Sequence, residues 1–386
     1  MDLKRIQEAL QRLNLDGWLF FDHHERDPLA YRILGFHPGR HVSRRWYYLI
    51  PAHGEPRKLV HRIEAGMLDL VPGATSVYSR WQEQHALLAD LLVGVKRVAM
   101  QYSPECAVVY VSMVDAGTVE LVRRLGTEVV SSAELVQEFE AQLSDEQFAT
   151  HLEAGRRVDL VRAEAFEFMT ARLAGGVTEL DVRDFVRARF AESSLITDSG
   201  PIVGVNRHAG NPHYEPTVET NVPIRPGDLV LLDMWAKLDQ AGSIYYDITW
   251  TGFCGDPPEK IRRAFDVVKG ARDAGVRIVQ DAYASQADLR GFQVDDAVRG
   301  HIEAAGLGDF FVHRTGHSIG TEVHGSGANM DNLETHDERP VQRGSLFSIE
   351  PGVYFDDFGV RLELDVFVGA SAAGPTGKVQ TELVRI

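Results

Sequence analysis

The chain has 386 residues, 44% of them hydrophobic and 25% charged, which is a length for two domains and the composition of a globular protein. Its net charge of -16 disfavours nucleic acid or an anionic membrane as a partner. Cys106 and Cys254 are the only cysteines, so no disulfide framework exists, and no run of about 18 apolar residues offers a membrane span; a cytoplasmic protein is expected.

The opening stretch MDLKRIQEALQRLNLDGWLFF sets Leu3, Ile6, Leu10 and Leu13 at helical spacing. It predicts a helix and a strand, not a signal peptide. Short strands follow at GWLFF, RWYYLI, RKLVHRI, KRVAM and TEVVS, with helices at WQEQHALLADLL and VSMVDAGTVELVRRL. YLIPAHGEPRKLV reads as a hairpin turned at its Pro and Gly positions. DHHERD, Asp22 to Asp27, reads as a solvated loop after a strand and not as a metal site. Residues 1–140 are therefore expected to form an α/β domain.

A boundary falls near FEAQLSDEQ, where Ser144 and Gln147 form a capping box for a long helix that Gly175-Gly176 ends. The order of elements then repeats. Helices 145–173 and 179–192 precede the strand-rich GDLVLLDMWAKLDQAGSIYYDITWTGF, and helices near 258–281 and 293–305 precede GSLFSIEPGVYFDDFGVRLELDVFV. In the first hairpin Gly227 stands six residues before Asp233; in the second, Gly344 stands six before Glu350. Each meets another acid past a turn, Asp247 fourteen residues on and Glu363 thirteen on. The repeat predicts an α+β domain over residues 141–386, built of two halves related by approximate two-fold symmetry. Four carboxylates then converge on one place.

Carboxylates in otherwise apolar strands need a counter-charge, and Lys237 and Arg361 are the few cations there. Two divalent ions about 3.5 to 4 Å apart can share bridging carboxylates and supply it. An imidazole ligand is sought in FVHRTGHSIGTEVHG, residues 311–325. His313 and His317 stand four apart, as in the zinc-peptidase pattern H-E-x-x-H, but no glutamate lies between them. Gly316 and Gly320 would each cost a helix roughly 1 kcal/mol, so a turn or irregular strand carrying His317 is expected. Carboxylate-rich ligation with one His favours manganese, with cobalt, zinc or iron(II) as alternatives. Arg361, two residues from Glu363, shares its strand face and is placed to orient that carboxylate.

LLDMWAK, YYDITWTGF, HRTGHSIGTEVHG, SIEPGVYF and GVRLELDVFV resemble the five metal-ligand blocks of the pita-bread metallopeptidases. That family includes Xaa-Pro dipeptidase (prolidase), aminopeptidase P and methionine aminopeptidase, with creatinase as a metal-free relative. The likeness runs from about residue 150 to the end; the first 140 or so resemble the N-terminal domain of prolidases and creatinase, with LAYRILGF where a YLTGF-like segment usually stands. The resemblance implies a creatinase-like domain over 1–140, a pita-bread catalytic domain over 141–386 and a homodimer.

It further implies two divalent metal ions, with Asp233 a terminal ligand to one, His317 and Glu350 on the other, and Asp247 and Glu363 bridging both. His213 in NPHYEP would hold substrate and transition state, His324 would contact the scissile amide, and Glu350 would carry the proton to the leaving nitrogen. His313 carries no expected catalytic role. The implied activity is hydrolysis of Xaa-Pro dipeptides or short peptides by a hydroxide held between the ions.

Several residues depart from the family pattern. The two aspartates are further apart than usual, through extra residues around LDQAGS that could reshape the mouth of the site. Trp235 replaces a glycine, Trp250 an arginine and Ser318 a glycine. EVHGSGANMDN replaces the segment that anchors the substrate carboxylate in prolidases, which puts Ala328 where an arginine is expected. This keeps open a metal-dependent hydrolase or lyase of a small non-peptide metabolite on the same fold. A non-catalytic binding protein is a third reading, weakened by the complete set of five ligands.

Overall fold

Gly17–Asp22 (β1) is buried at all six positions, so both of its faces need cover. In the computed structural model, which describes residues 1–36, 39 and 41–386, alternate side chains of this strand meet different helices. Trp18 and Phe20 join the apolar residues of Leu3–Arg12 (α1) and Pro28–Leu34 (α2); Leu19 and Phe21 join those of Trp81–Leu91 (α3) and Ala116–Arg124 (α4). The sheet is completed by Trp46–Pro51 (β2), Arg57–His61 (β3), Ala74–Tyr78 (β4), Arg97–Met100 (β5) and Glu128–Ser131 (β6). Its order is β4-β3-β2-β1-β5-β6. Strand β2 runs antiparallel to β1 and β3, which makes the expected hairpin, and the remaining pairs are parallel.

Two local expectations need correction. Helix α4 begins at Ala116 because the Asp115 side chain accepts a hydrogen bond from the backbone N–H of Thr118 and caps it there. The DHHERD segment is exposed only in its middle. Asp22 is buried and accepts from the backbone of Glu25, Arg26 and Asp27 and from the Tyr31 hydroxyl; Asp27, also buried, caps α2. Burial pushes the Asp27 carboxyl up to about 7.

These residues form one compact unit, Met1–Glu140; Ala141–Ile386 form the other. The second unit opens with Asp145–Arg172 (α5), capped by Ser144 and Gln147, followed by Glu179–Glu192 (α6). Ile202–Val205 (β7), Leu229–Leu238 (β8) and Tyr246–Phe253 (β9) form an antiparallel set with β8 in the middle. Val230, Leu232, Met234 and Ala236 pack under α5 and α6. Strand alternation turns Leu231, Asp233 and Trp235 to the other face.

The second half repeats the scheme. Glu259–Ser285 (α7) and Gly291–Ala304 (α8) cover Phe347 and Ile349 of Leu346–Ile349 (β10). Gly352–Tyr354 (β11), Gly359–Arg361 (β12) and Leu364–Val368 (β13) continue the hairpin, with β10 paired to β13 and β11 to β12. Residues 315–319 run beside β10 as β7 runs beside β8: Glu350 donates to the Thr315 carbonyl at 2.8 Å, Ser348 to that of His317 at 2.9 Å, and Ile319 to that of Leu346 at 2.8 Å. The histidine segment is thus an irregular strand. A Cβ at Gly316 would lie 2.0 Å from the Ser348 carbonyl oxygen, so glycine is what lets the two backbones approach.

Each half hides one apolar face under two helices; the other face of the first hairpin carries buried Leu229 and Leu231 beside Asp233. No helix among the described residues is long and apolar enough to cross a membrane.

Candidate metal centre

Strand register brings the acids together. Asp233 pairs with Thr249 and Asp247 with Trp235, so the two aspartates are diagonal neighbours on one face of the β8–β9 hairpin. In the second hairpin the ladder breaks where Pro351 has no N–H to give. Ile349 pairs with Leu364 and Gly352 with Arg361, so Glu350 and Glu363 face each other at the break. All four carboxylates, with His213, His317, His324 and Arg361, line a single cleft of about 430 Å³.

His317, Asp247 and Glu363 can each offer a donor atom such that all three lie within 4.8 Å of one another. His317 Nε2 is 3.6 Å from Asp247 Oδ2 and 3.4 Å from Glu350 Oε1. Its Nδ1 is 3.2 Å from the Ser318 carbonyl, a contact that makes Nδ1 the protonated nitrogen and leaves the Nε2 lone pair toward the carboxylates. Burial, then the charges of His324 and Arg314, hold the imidazole well below its ordinary pKa, so it is neutral as a ligand must be.

The carboxylates are shifted the other way. Asp247 is raised well above the usual range, first by burial and then by the charges of Glu363, Asp233, Asp365 and Glu350; Glu363 is raised by burial and then by Glu350 and Asp233. Glu350 is pushed up to about 7 by burial. Asp233 is raised by burial while Arg361 draws it back. Asp247 Oδ1 is buried with no hydrogen-bond partner. An orphaned carboxylate oxygen, a neutral imidazole and mutually repelling acids form a donor set that divalent cations satisfy.

The charge of Arg361 acts on Glu363 through space, while its hydrogen bonds go elsewhere. It donates to Asp233 Oδ2, to Thr249 Oγ1 at 3.0 Å, to the Tyr354 hydroxyl at 3.2 Å and to the Pro212 carbonyl at 3.1 Å. Thr249 in turn donates to Glu363 Oε2 at 2.6 Å, so the arginine reaches Glu363 through that hydroxyl. Lys237 does not serve the acids; it donates to the Thr321 carbonyl.

His324 stands edge-on to His317 with ring centroids 4.3 Å apart. Its pKa is lowered by desolvation, then by Arg314 and His213. His213 lines the exposed side of the cleft. His313 Nε2 meets the Tyr354 hydroxyl at 2.7 Å, which places it in the Arg361 network; burial pushes it down to about 3.

Residues that the sequence reading passed over include Thr249, Tyr354 and Asp365. Asp365 Oδ2 accepts from the backbone N–H of Asp247 at 2.9 Å and fixes that strand behind the cleft. Both Thr249 and Asp365 lie two residues past a cleft acid, so the period of the strand already carried the signal.

All but one of the departures from the family pattern lie outside the cleft lining. Residues 239–243 of the longer first hairpin do not line the cleft, and Ala328 is buried against Met330 and Phe347. The GSGANMDN segment holds the His317 strand instead: Asn329 Oδ1 accepts from Ser318 N–H, and Gly327 N–H donates to Ser318 Oγ. Trp250 lies under Arg162 at 3.6 Å. Trp235 does line the cleft, its Nε1 donating to Asp198 at 2.7 Å.

The pattern of Metallopeptidase family M24 matches residues 149–370. The chain belongs to family M24. An Xaa-Pro dipeptidase of Lactobacillus delbrueckii subsp. lactis is 30% identical over 213 residues, 54% of this chain and 52% of that one, so the match spans about half of each. A probable dipeptidase PepE of Mycobacterium bovis is 27% identical over 344 residues, 87% of this chain and 84% of its own. The crystal structure of dipeptidase PepE from Mycobacterium ulcerans superposes with a TM-score of 0.74 at 24% identity, covering 100% of this chain and 96% of that one, and so shares the fold. M24 membership implies divalent metal ions, and the Asp, His and Glu donors above fit them.

Proposed function

We propose that this M24 chain hydrolyses short Xaa-Pro peptides with two divalent ions held by Asp233, Asp247, His317, Glu350 and Glu363. The observation that carries this is the convergence of five donors from both halves of the repeat in one cleft, with Arg361 the cation bonded within the cluster. Bound there, divalent ions polarise a carbonyl and lower the pKa of water.

The chain's own residues supply the rest. Glu350, which lines the cleft with Oε1 3.4 Å from His317 Nε2, would take the proton of the attacking water and pass it to the leaving nitrogen. His324 and His213 donate hydrogen bonds as charge grows on the tetrahedral centre; loss of such a donor typically costs about 100- to 1000-fold in rate. Arg314 lines the cleft and would receive the carboxylate of a dipeptide, the task that Ala328 does not perform. Manganese suits the four carboxylates and one imidazole, and we extend the proposal to a homodimer, expected from the prolidase resemblance, in the cytoplasm, expected from the cysteine content and apolar patterning.

The test is one assay on enzyme reconstituted with manganese, cobalt or zinc, comparing an Xaa-Pro dipeptide, an Xaa-Pro-Xaa tripeptide and the dipeptide amide. The dipeptide is expected to be turned over fastest. Absence of turnover of every peptide, with metal bound, favours the second reading, a small non-peptide amide. That reading is supported by the buried Ala328 in place of an anchoring arginine.

A further inference from the structure

The first unit contains a second cleft, created by its sheet topology. Strands β1, β3, β4, β5 and β6 end at one edge of the sheet, and β2 begins there, as the pairing of Asp22 with Trp46 and of His61 with Tyr78 shows. Open α/β sheets bind ligands at the carboxyl ends of their strands. At this edge His23, Arg44, Arg45, His61, Trp81 and Gln84 line a cleft of about 460 Å³.

Its lining has no acid among the described residues, in a chain of net charge -16. The nearby Glu64 is already engaged, accepting from the backbone N–H groups of Ser43 at 2.9 Å and Arg44 at 3.1 Å. Among the described residues the Arg45 guanidinium makes no hydrogen bond or ion pair, and that of Arg44 bonds only Ser43. The cations are felt locally: His23 is held below its ordinary pKa, first by burial and then by the charges of His24, Arg26 and Arg45.

Gln84 supplies an independent sign of a ligand. It is fully buried and donates through Nε2 to the Tyr47 hydroxyl at 2.7 Å, while its Oε1 has no partner. Turning the amide over would only exchange which end is unmet. A buried polar atom on a cleft wall calls for an explanation. The exposed Trp81 ring, 61% accessible, offers an apolar surface beside it.

We propose that this cleft binds a small organic anion bearing a carboxylate or phosphate group together with a hydroxyl or N–H donor. The anionic group pairs with the guanidinium groups of Arg44 and Arg45, whose planar forks suit either oxyanion. The donor is directed at the Gln84 amide in the cleft wall, whose buried unmet end is exposed by a turn of the side chain.

The test is calorimetric titration of the full-length, metal-loaded enzyme at low salt with malate and with glycerol 3-phosphate, each of which carries both groups. Saturable binding of one is expected, and the better probe tells carboxylate from phosphate. The Arg44→Ala/Arg45→Ala variant is expected to bind at least ten-fold more weakly; should it not fold, Arg45→Ala alone, at an exposed position, gives the same reading. Glu363→Ala, which disables the carboxylate cleft, should change affinity less than two-fold. The proposal is overturned by no saturable binding of either probe, by full binding in the arginine variant, or by loss of binding in Glu363→Ala.

Discussion

Arg361 of the second hairpin donates through Nη2 to Asp233 Oδ2 of the first, so one buried ion pair ties the two halves of the catalytic unit across the cleft. The same guanidinium holds Thr249, Tyr354 and the Pro212 carbonyl, which leaves it no freedom to turn. Removing it strands a buried carboxylate. Arg361→Ala is expected to destabilise the unit by about 3 to 5 kcal/mol, read as a lowered urea midpoint. Arg361→Lys keeps the charge without the planar fork and should fold, but with a lower kcat.

Asp247 is repelled by Glu363, Asp233, Asp365 and Glu350. Asp247→Ala and Asp247→Asn should therefore abolish metal binding and hydrolysis together, while the metal-free variants melt no lower than the metal-free parent. Metal analysis, activity and melting curves check this. Full activity in a metal-free preparation contradicts the proposed function.

The pH dependence follows from Glu350. Its folded pKa of about 7 lies above its ordinary value, so the metal-free folded state holds a proton that the unfolded chain releases. Stability from this group is present below the unfolded pKa and is lost as pH rises toward 7. Metal binding needs the ionised carboxylate. The rise in Tm on adding manganese should be small at pH 5 and large at pH 8; an equal rise at both would count against a carboxylate cluster of this kind.

Gly316 permits the close approach of the His317 strand to β10. Gly316→Ala must push those backbones apart and should lower metal affinity by at least ten-fold. Metal titration of the folded variant measures it.

Arg314 provides a test of substrate anchoring. Arg314→Ala should raise KM for an Xaa-Pro dipeptide about ten-fold, the tenfold corresponding to roughly 1.4 kcal/mol of binding, with little change in kcat. The dipeptide amide, lacking the carboxylate, should be unaffected.

The strand-helix order, the capping box at Ser144 and the doubled hairpin could be read from the sequence because they depend on local periodicity. Alternation in LVLLDMW and LFSIE likewise tells which face Asp233 and Glu350 occupy, once the apolar residues are assigned to the helices. What could not be read are contacts across long separations. The bond from Arg361 to Asp233 spans 128 residues, whereas strand spacing alone pairs the arginine with its neighbour Glu363. Similarly, resemblance puts Ala328 where an anchoring arginine is expected, whereas the chain turns it into the core.

The two halves are alike in backbone but not in chemistry. Leu231 of β8 pairs with Gly204, and the corresponding Ser348 of β10 meets His317, so the half-turn that relates the hairpins would carry the imidazole onto a bare glycine. One cation would find nitrogen and oxygen donors, its neighbour oxygen alone. A pair of identical ions would thus occupy unequal seats, one beside an imidazole and one beside a backbone that offers no side chain.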